Sequence, residues 1–254
     1  PIDTRIERES MSQVYFIGAG PGDPELLTLK GKRVIDTSDV IIYAGSLVPE
    51  AVIASHKEGA LVLNSAGMTL DEVINAMETA VSAGKQVARV HTGAPSIYGA
   101  IREQMDVLDT RGIAYEVIPG VSSFVAAAAA LGREFTVPDI SQTVILTRIA
   151  GRTGVPQGES LESLAAHRAS MAIFLSVGMI GEVVAQLTTH YPDDTPVAVV
   201  QRASWPEQKI IYGTLANIAD KAAAADIHKT AQILVGDFLG DEYGQSKLYN
   251  PHFS

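Results

Sequence analysis

Apolar residues are concentrated in short runs, and the segments between the runs have a helical period. The runs at 14–18, 40–43, 61–63, 86–91 and 114–118 are dominated by Val, Ile and other apolar residues, and each reads as a strand. The alternation predicts an α/β architecture. The clearest helix is "TLDEVINAMETAVSAGK". In it Thr69 and Glu72 have capping-box spacing, Val73, Met77, Ala80 and Val81 share a face, and Gly84 stands where a C-terminal cap belongs.

The alternation pauses once. After the alanine-rich helix "SSFVAAAAALG" comes "REFTVPDIS", which has no period and contains a proline. The pattern then resumes with "QTVILTR", "MAIFLSV", "PVAVVQR" and "AQILVGDFL". A boundary near Val137 to Ser141 follows, giving α/β domains at 12–137 and 142–245 with tails at 1–11 and 246–254. A ligand cleft between two such domains is the default expectation.

Composition narrows the function classes. Of the 254 residues 46% are hydrophobic and 19% charged, ordinary for a globular chain and against disorder. With 19 basic against 29 acidic residues the formal charge is -10, which argues against a general nucleic-acid or anionic-membrane coat. The lack of cysteine excludes disulfides, thiolate zinc sites and thiol nucleophiles, and fits a reducing cytoplasm. No residue set is assigned to a metal. No apolar run approaches the roughly 18 to 20 residues of a membrane span. The start, "PIDTRIERESMSQ", lacks the apolar core of a signal peptide, with Met11 a candidate native start.

The stretch "VYFIGAGPGDPELLTLKG" (14–31) has the look of a nucleotide-binding turn, but its chemistry argues otherwise. A dinucleotide fingerprint fits Gly18 and Gly20, yet Asp23 occupies the third glycine position, and no Walker lysine follows. Asp23 would set a negative charge where a phosphate should lie. The glycines then serve a sharp turn at the carboxyl edge of a sheet, with Pro24 at the first turn of a helix, where its missing N–H costs nothing.

"GAGPGDPELLTLKG", "DVIIYAGSLV", "VHTGAPSIYGAIREQ" and "VIPGVSSFVAAAAALG" occur in an order and spacing that resemble the tetrapyrrole methylases. The resemblance covers nearly the whole chain. It implies a homodimer of two-domain α/β subunits, with S-adenosyl-L-methionine in the cleft between domains and S-adenosyl-L-homocysteine as product. "YAGSLV", "LNSAGMTLDEV", "QTVILTRIAGRT" and "FLSV" imply, within the family, methylation of precorrin-4 or a related tetrapyrrole at C11, in cobalamin biosynthesis. Nucleic acid and membrane are not expected partners. Carried over motif by motif, the donor-binding positions are Pro21, then Thr92, Gly93, Ala94 and Ile97, then Ser122 and Ser123. In the second domain they fall on Val177, Ala203, Thr230 and Ala231.

Two departures from the family pattern matter. The family's Gly-Asp-Pro is here Gly93-Ala94-Pro95, so a carboxylate near the donor is missing, which leaves a donor-binding but poorly active protein as an alternative reading. Uroporphyrinogen methylases carry an acidic residue and a lysine where this chain has Ala44 and approximately Asn64, which counts against that subfamily and leaves another precorrin methylase as the runner-up.

Methyl transfer from a sulfonium is an in-line displacement, so positioning and water exclusion supply much of the rate. Backbone carbonyls and small residues suit a sulfonium because they offer partial negative charge without a competing nucleophile. The macrocycle carries many acetate and propionate groups, so Arg89, His91, Arg102, Arg148, Arg152 and Arg202 are candidate cations. Of these Arg148, ending an apolar strand, is the expected anion binder. His91 is a candidate proton acceptor, or a donor to a neighbouring carbonyl. Tyr43 and Tyr98 line the trough or fill core, Met68 and Met179 pack, and Trp205 anchors a loop.

Overall fold

The computed structural model describes residues 13–151, 153–242 and 244. The proposed start at Met11, the terminal tails and Arg152 lie outside the described residues. The chain divides into two units, the first ending at Ser123 and the second beginning at Phe124.

The first unit is a five-stranded parallel sheet. Its strands are β1 (Val14–Gly18), β2 (Val40–Tyr43), β3 (Leu61–Asn64), β4 (Val87–His91) and β5 (Tyr115–Ile118), in the order β3-β2-β4-β1-β5. Both faces are covered, which is why β1 and β2 are apolar nearly throughout rather than alternating, while β4 carries Arg89 and His91 among its apolar residues. On one face Phe16, Ile42 and Val87 pack with Val73, Ile74 and Met77 of the helix Leu70–Ser82 and Leu108 of the helix Ile101–Thr110. On the other Ile17, Ile41 and Val90 meet Val34 and Ile35 of the helix Leu29–Thr37 and Val52 of the helix Glu50–Ile53. In chain order these helices are α1 (29–37), α2 (50–53), α3 (70–82) and α4 (101–110).

The capping box at α3 is formed in both directions. Glu72 N–H donates to Thr69 Oγ1 at 3.3 Å, and Thr69 N–H donates to Glu72 Oε2 at 2.7 Å. Gly84, at φ +71°, closes the other end by donating to the Val81 carbonyl at 2.9 Å. The face is as the spacing implies, with Ile74 added and Val81 only half-buried.

The second unit holds β6 (Val144–Arg148), β7 (Ser170–Phe174), β8 (Pro196–Gln201), β9 (Lys209–Thr214) and β10 (Ala231–Val235), in the order β6-β7-β10-β8-β9. Only the β6–β7 pair is parallel. Its helices are α5 (Ser123–Leu131, in the second unit from Phe124 on), α6 (Leu161–Ala165), α7 (Ile180–Leu187) and α8 (Ile218–Ala224). β9 has no counterpart among the strands expected from the sequence. It pairs with β8 at the sheet edge, exposes Lys209 and Tyr212 among half-buried positions, and its apolar stretch is only Ile210–Tyr212 before a glycine.

The boundary also differs from the expectation near Val137 to Ser141. Ala126, Ala127 and Leu131 of α5 are buried against Ala172, Ala198 and Leu234 of the second sheet. The aperiodic stretch after α5 is tied into the same unit, with Ser170 Oγ donating to the Phe135 carbonyl at 2.8 Å and Ser170 N–H donating to Ser141 Oγ at 3.1 Å. A proline and a missing period thus mark a bound loop rather than a linker. Among the described residues no helix is long and apolar enough to cross a membrane.

At the carboxyl edge of the first sheet three loops meet backbone to backbone. A Cβ on Gly18 would lie 2.6 Å from Gly120 Cα and from the Gly93 carbonyl oxygen, and one on Gly120 would lie 2.2 Å from that same oxygen. Gly20 and Gly93 exchange hydrogen bonds of 3.2 and 2.8 Å. Gly120→Ala is therefore expected to cost about 3 kcal/mol or to prevent folding, since rigid backbone cannot yield as a side chain does. Gly67→Ala, with no heavy atom within 4 Å of its would-be Cβ, is expected to stay within about 0.5 kcal/mol of the parent. Urea denaturation of both variants checks this, and equal midpoints would contradict it.

Candidate active site

The loops joined by these glycines carry the first-unit positions singled out in the sequence. After β1 the chain turns at Gly20 (φ +77°) into buried Pro21, and Asp23 Oδ1 accepts from Glu25 N–H at 2.9 Å, capping the short 3-10 turn Pro24–Leu26. α1 starts only at Leu29, capped by Thr28. Pro24 thus opens this short turn instead of the helix itself, and Asp23 serves as its cap.

After β4 come exposed Thr92, buried Gly93 at φ +61°, and half-buried Ala94 and Ile97, with Ile97 N–H donating to the Ala94 carbonyl at 3.1 Å. This turn is tight: a Cβ on Gly99 would lie 2.1 Å from the Pro95 carbonyl oxygen. Tyr98 and Ala100 are held at φ +54° and +49°, a strained conformation for residues with a side chain. After β5, Ser122 is buried and Ser123 half-buried, and Ser122 Cα, Ser123 N and the Val121 carbonyl oxygen lie 3.7 to 3.9 Å from where a Gly93 Cβ would stand. Pro21, Thr92, Gly93, Ala94, Ile97, Ser122 and Ser123 therefore belong to one set of adjoining loops.

Beside these loops, over the β3-β2-β4 side of the sheet, lies a cavity of about 350 Å³. Ala44, Ser65, Met68, Tyr98 and Glu103 contribute to its wall, as do Arg89, His91 and Gln104. The last three are buried polar groups in an otherwise apolar core. Arg89 is 7% exposed, and donates from Nε to Gln104 Oε1 at 3.1 Å and from Nη1 to the Ile42 carbonyl at 3.3 Å and Ser65 Oγ at 3.0 Å. Burial pulls its pKa down to about 10, so it is still charged at neutral pH. His91 is buried, and its Nε2 has no hydrogen-bond partner. Burial, and then the neighbouring Arg89 charge, push its pKa down to about 3.

The sequence reading did not include Gln104 or Ser65. Gln104 orients Arg89 and donates from Nε2 to the Ala100 carbonyl at 3.0 Å. The signal was present, for Ile101, Gln104 and Leu108 fall on one helical stripe and a polar residue there calls for a buried partner.

The second-unit positions also share an edge of their own sheet. Val177 follows β7, Ala203 follows β8, and Thr230 and Ala231 lead into or begin β10, which runs antiparallel to both. Leu175, Arg202, Ser204 and Thr230 all have positive φ (53°, 49°, 69° and 55°), and Arg202 N–H donates to the Thr230 carbonyl at 2.9 Å. Val177 and Ala203 are buried, Ala231 is half-buried and Thr230 is exposed.

The remaining cations part company. Arg148 ends β6 at this edge, but its guanidinium donates to three backbone carbonyls, Ile149 and Thr153 at 3.1 Å and Gly154 at 2.7 Å. It is thereby the staple of the loop that follows, and that work differs from the anion binding expected of it. Arg102 is exposed and pairs with Asp106 one turn on, at 2.8 Å. Arg202 sits 5.5 Å over the Trp205 ring, which fits Trp205 as a loop anchor. Tyr43 packs in the core, Met68 lines the cavity and Met179 packs against the second core.

Comparison with known proteins agrees with this layout. The family model of the Tetrapyrrole (Corrin/Porphyrin) Methylases matches residues 13–219. A Cobalt-precorrin-4 C(11)-methyltransferase of Methanocaldococcus jannaschii is 54% identical over 95% of this chain and 94% of its own. A Precorrin-4 C(11)-methyltransferase of Pseudomonas aeruginosa is 52% identical over 93% and 94%. Among solved structures, that of a cobalamin biosynthetic enzyme, cobalt precorrin-4 methyltransferase, has a TM-score of 0.88 at 46% identity, covering 91% of this chain and 97% of that one. A uroporphyrin-III C-methyl transferase of Thermus thermophilus, complexed with S-adenyl homocysteine, has a TM-score of 0.76 at 26% identity over 90% and 94%. With its motif loops gathered on the sheet edges and a family match over most of its length, the chain belongs to the tetrapyrrole (corrin/porphyrin) methylases.

Proposed function

We propose that the protein transfers a methyl group from S-adenosyl-L-methionine to C11 of precorrin-4, or of its cobalt-bearing counterpart, in cobalamin biosynthesis. The likeness to the two C11-methyltransferases, which runs nearly end to end, carries this reading. A homodimer in the cytoplasm is the setting that the family resemblance and the lack of cysteine support.

The donor supplies an activated methyl on a sulfonium. The residues of the first-unit loops fit it. None of Pro21, Thr92, Gly93, Ala94, Ile97, Ser122 and Ser123 bears a charge or a thiol, and their backbone is drawn together without side chains at Gly18, Gly93 and Gly120. Backbone carbonyls and small residues offer partial negative charge that favours a cation without attacking it. In the second unit Val177, Ala203, Thr230 and Ala231 are the corresponding positions. The loops' work is to hold and orient the reactants and to exclude water.

His91 does not suit the part of proton acceptor. A ring whose pKa is about 3 is neutral and weakly basic at pH 7, so its role is that of an uncharged neighbour of Arg89. Arg148 is assigned to loop positioning, on the strength of its three carbonyl contacts.

Incubation with precorrin-4 and methyl-labelled donor, followed by NMR location of the label, is expected to place it at C11. A label at another carbon would reassign the protein within the family, and binding of S-adenosylhomocysteine without methylation would favour a carrier. Ala94→Asp is expected to raise the single-turnover rate by roughly tenfold, if the carboxylate typical of the family acts in the transition state; unchanged single-turnover kinetics would sink that role. For His91 the folded pKa lies below the unfolded value of 6.5, so the unfolded chain takes up a proton that the native ring refuses. Stability from this group is complete above pH 6.5 and declines by about 1.4 kcal/mol per unit as pH falls from there toward about 3. His91→Gln is expected to flatten that acid limb in urea titrations, whereas parallel limbs would refute the buried neutral ring.

A further inference from the structure

Resting on the methylase reading, we propose that Arg89, with Gln104, Ser65 and His91 around it, is a seat for one carboxylate arm of the tetrapyrrole in the first-unit cavity. A guanidinium 7% exposed has lost most of its hydration, and its acceptors are an amide, a carbonyl and a hydroxyl, all neutral. Removing a charge from water without a counter-charge is costly. Among the described residues Arg89 forms no ion pair, although Glu103 also lines the cavity.

Geometry supplies the opening. The hydrogen bonds of Arg89 run from Nε and Nη1, and Nη2 makes none among the described residues. An arginine fork presents donors suited to a carboxylate. Gln104, the Ile42 carbonyl and Ser65 hold Nε and Nη1, and His91, which lines the same cavity, has a buried Nε2 that also lacks a partner. As a neutral ring, His91 adds a hydrogen bond without repelling an anion or competing for it. A cavity of about 350 Å³ is far larger than one carboxymethyl or carboxyethyl arm needs, so part of a ring edge enters with it.

Two ligands of this reaction carry carboxylates, the macrocycle and the amino-acid end of the donor. Thr92 and Ile97 of the donor-assigned set reach the cavity wall, but Pro21, Gly93, Ala94, Ser122 and Ser123 do not, and most of the rest of the lining comes from the ends of β2 and β3, from β4 and from α3 and α4. The seat therefore belongs to the macrocycle, and its arm sets how the ring presents its edge.

Steady-state methylation with precorrin-4 varied, together with calorimetry using S-adenosylhomocysteine, tests this in the parent chain and three variants. Arg89→Met is expected to raise KM roughly tenfold or more with kcat changed by less than about threefold and S-adenosylhomocysteine affinity unaltered. Arg89→Lys should recover part of the loss. Ser65→Asp puts a carboxylate beside Nη1 as an internal counter-charge, and is expected to raise KM about fivefold without lowering the melting temperature. This variant decides the matter if Arg89→Met fails to fold. A KM within about twofold of the parent in folded Ser65→Asp overturns the proposal, as does a loss confined to S-adenosylhomocysteine affinity in Arg89→Met, which would give the seat to the donor. Failure of the parent chain to bind S-adenosylhomocysteine or to methylate at all would instead overturn the methylase reading.

Discussion

The first unit is organised around a backbone contact that tolerates no side chains. Gly18, Gly93 and Gly120 bring the ends of β1, β4 and β5 so close that any Cβ on the first or third would collide with main-chain atoms. Parallel strands already point their carboxyl ends the same way, and ligands of α/β sheets gather at that edge. Here the edge is drawn together further by the exchange of hydrogen bonds between Gly20 and Gly93. The result is closely packed backbone flanked by small residues. It suits a reaction that depends on placement rather than on an activated nucleophile.

Alongside it the core gives up apolar packing for a polar group of a different kind. Arg89 and His91 occupy the middle and the carboxyl end of the central strand β4, flanked by β1 and β2, where apolar residues would be the stable choice. Arg89 keeps its charge despite the burial, while His91 loses the capacity to take one up at neutral pH. One environment thus separates two cationic side chains into a fixed charge and a neutral neighbour. The strained backbone at Tyr98 and Ala100 lies on the wall of the same cavity, in keeping with strain that is retained near sites of function.

Much of the first unit was legible in its sequence because strands such as β1 and β2 are buried on both faces and so spell nearly continuous apolar runs. The helix after Thr69 was legible at both ends, since a capping box and a following glycine are local signals. β9 was not, because an edge strand that exposes Lys209 and Tyr212 leaves only the short stretch Ile210–Tyr212 before a glycine. The boundary was misplaced because the burial of α5 depends on the distant partners Ala172 and Leu234, which periodicity cannot reveal. The same holds for the site. Motif spelling located the loops, but the use of Arg148 on its own loop and the pairing of Gln104 with Arg89 are tertiary facts. Asp23 excluded a phosphate cradle from chemistry alone, and its actual work as a cap is consistent with that exclusion.

The central claim is that the glycine-joined loops hold the donor while the Arg89 cavity is left for the macrocycle. A crystal structure of the protein with S-adenosylhomocysteine bound tests it most directly. The account predicts ligand density against the backbone of Pro21, Gly93, Ala94 and Ile97, with the Arg89 guanidinium free of the ligand's carboxylate. Density for that carboxylate on Arg89, or a ligand remote from the Gly93 loop, would contradict it.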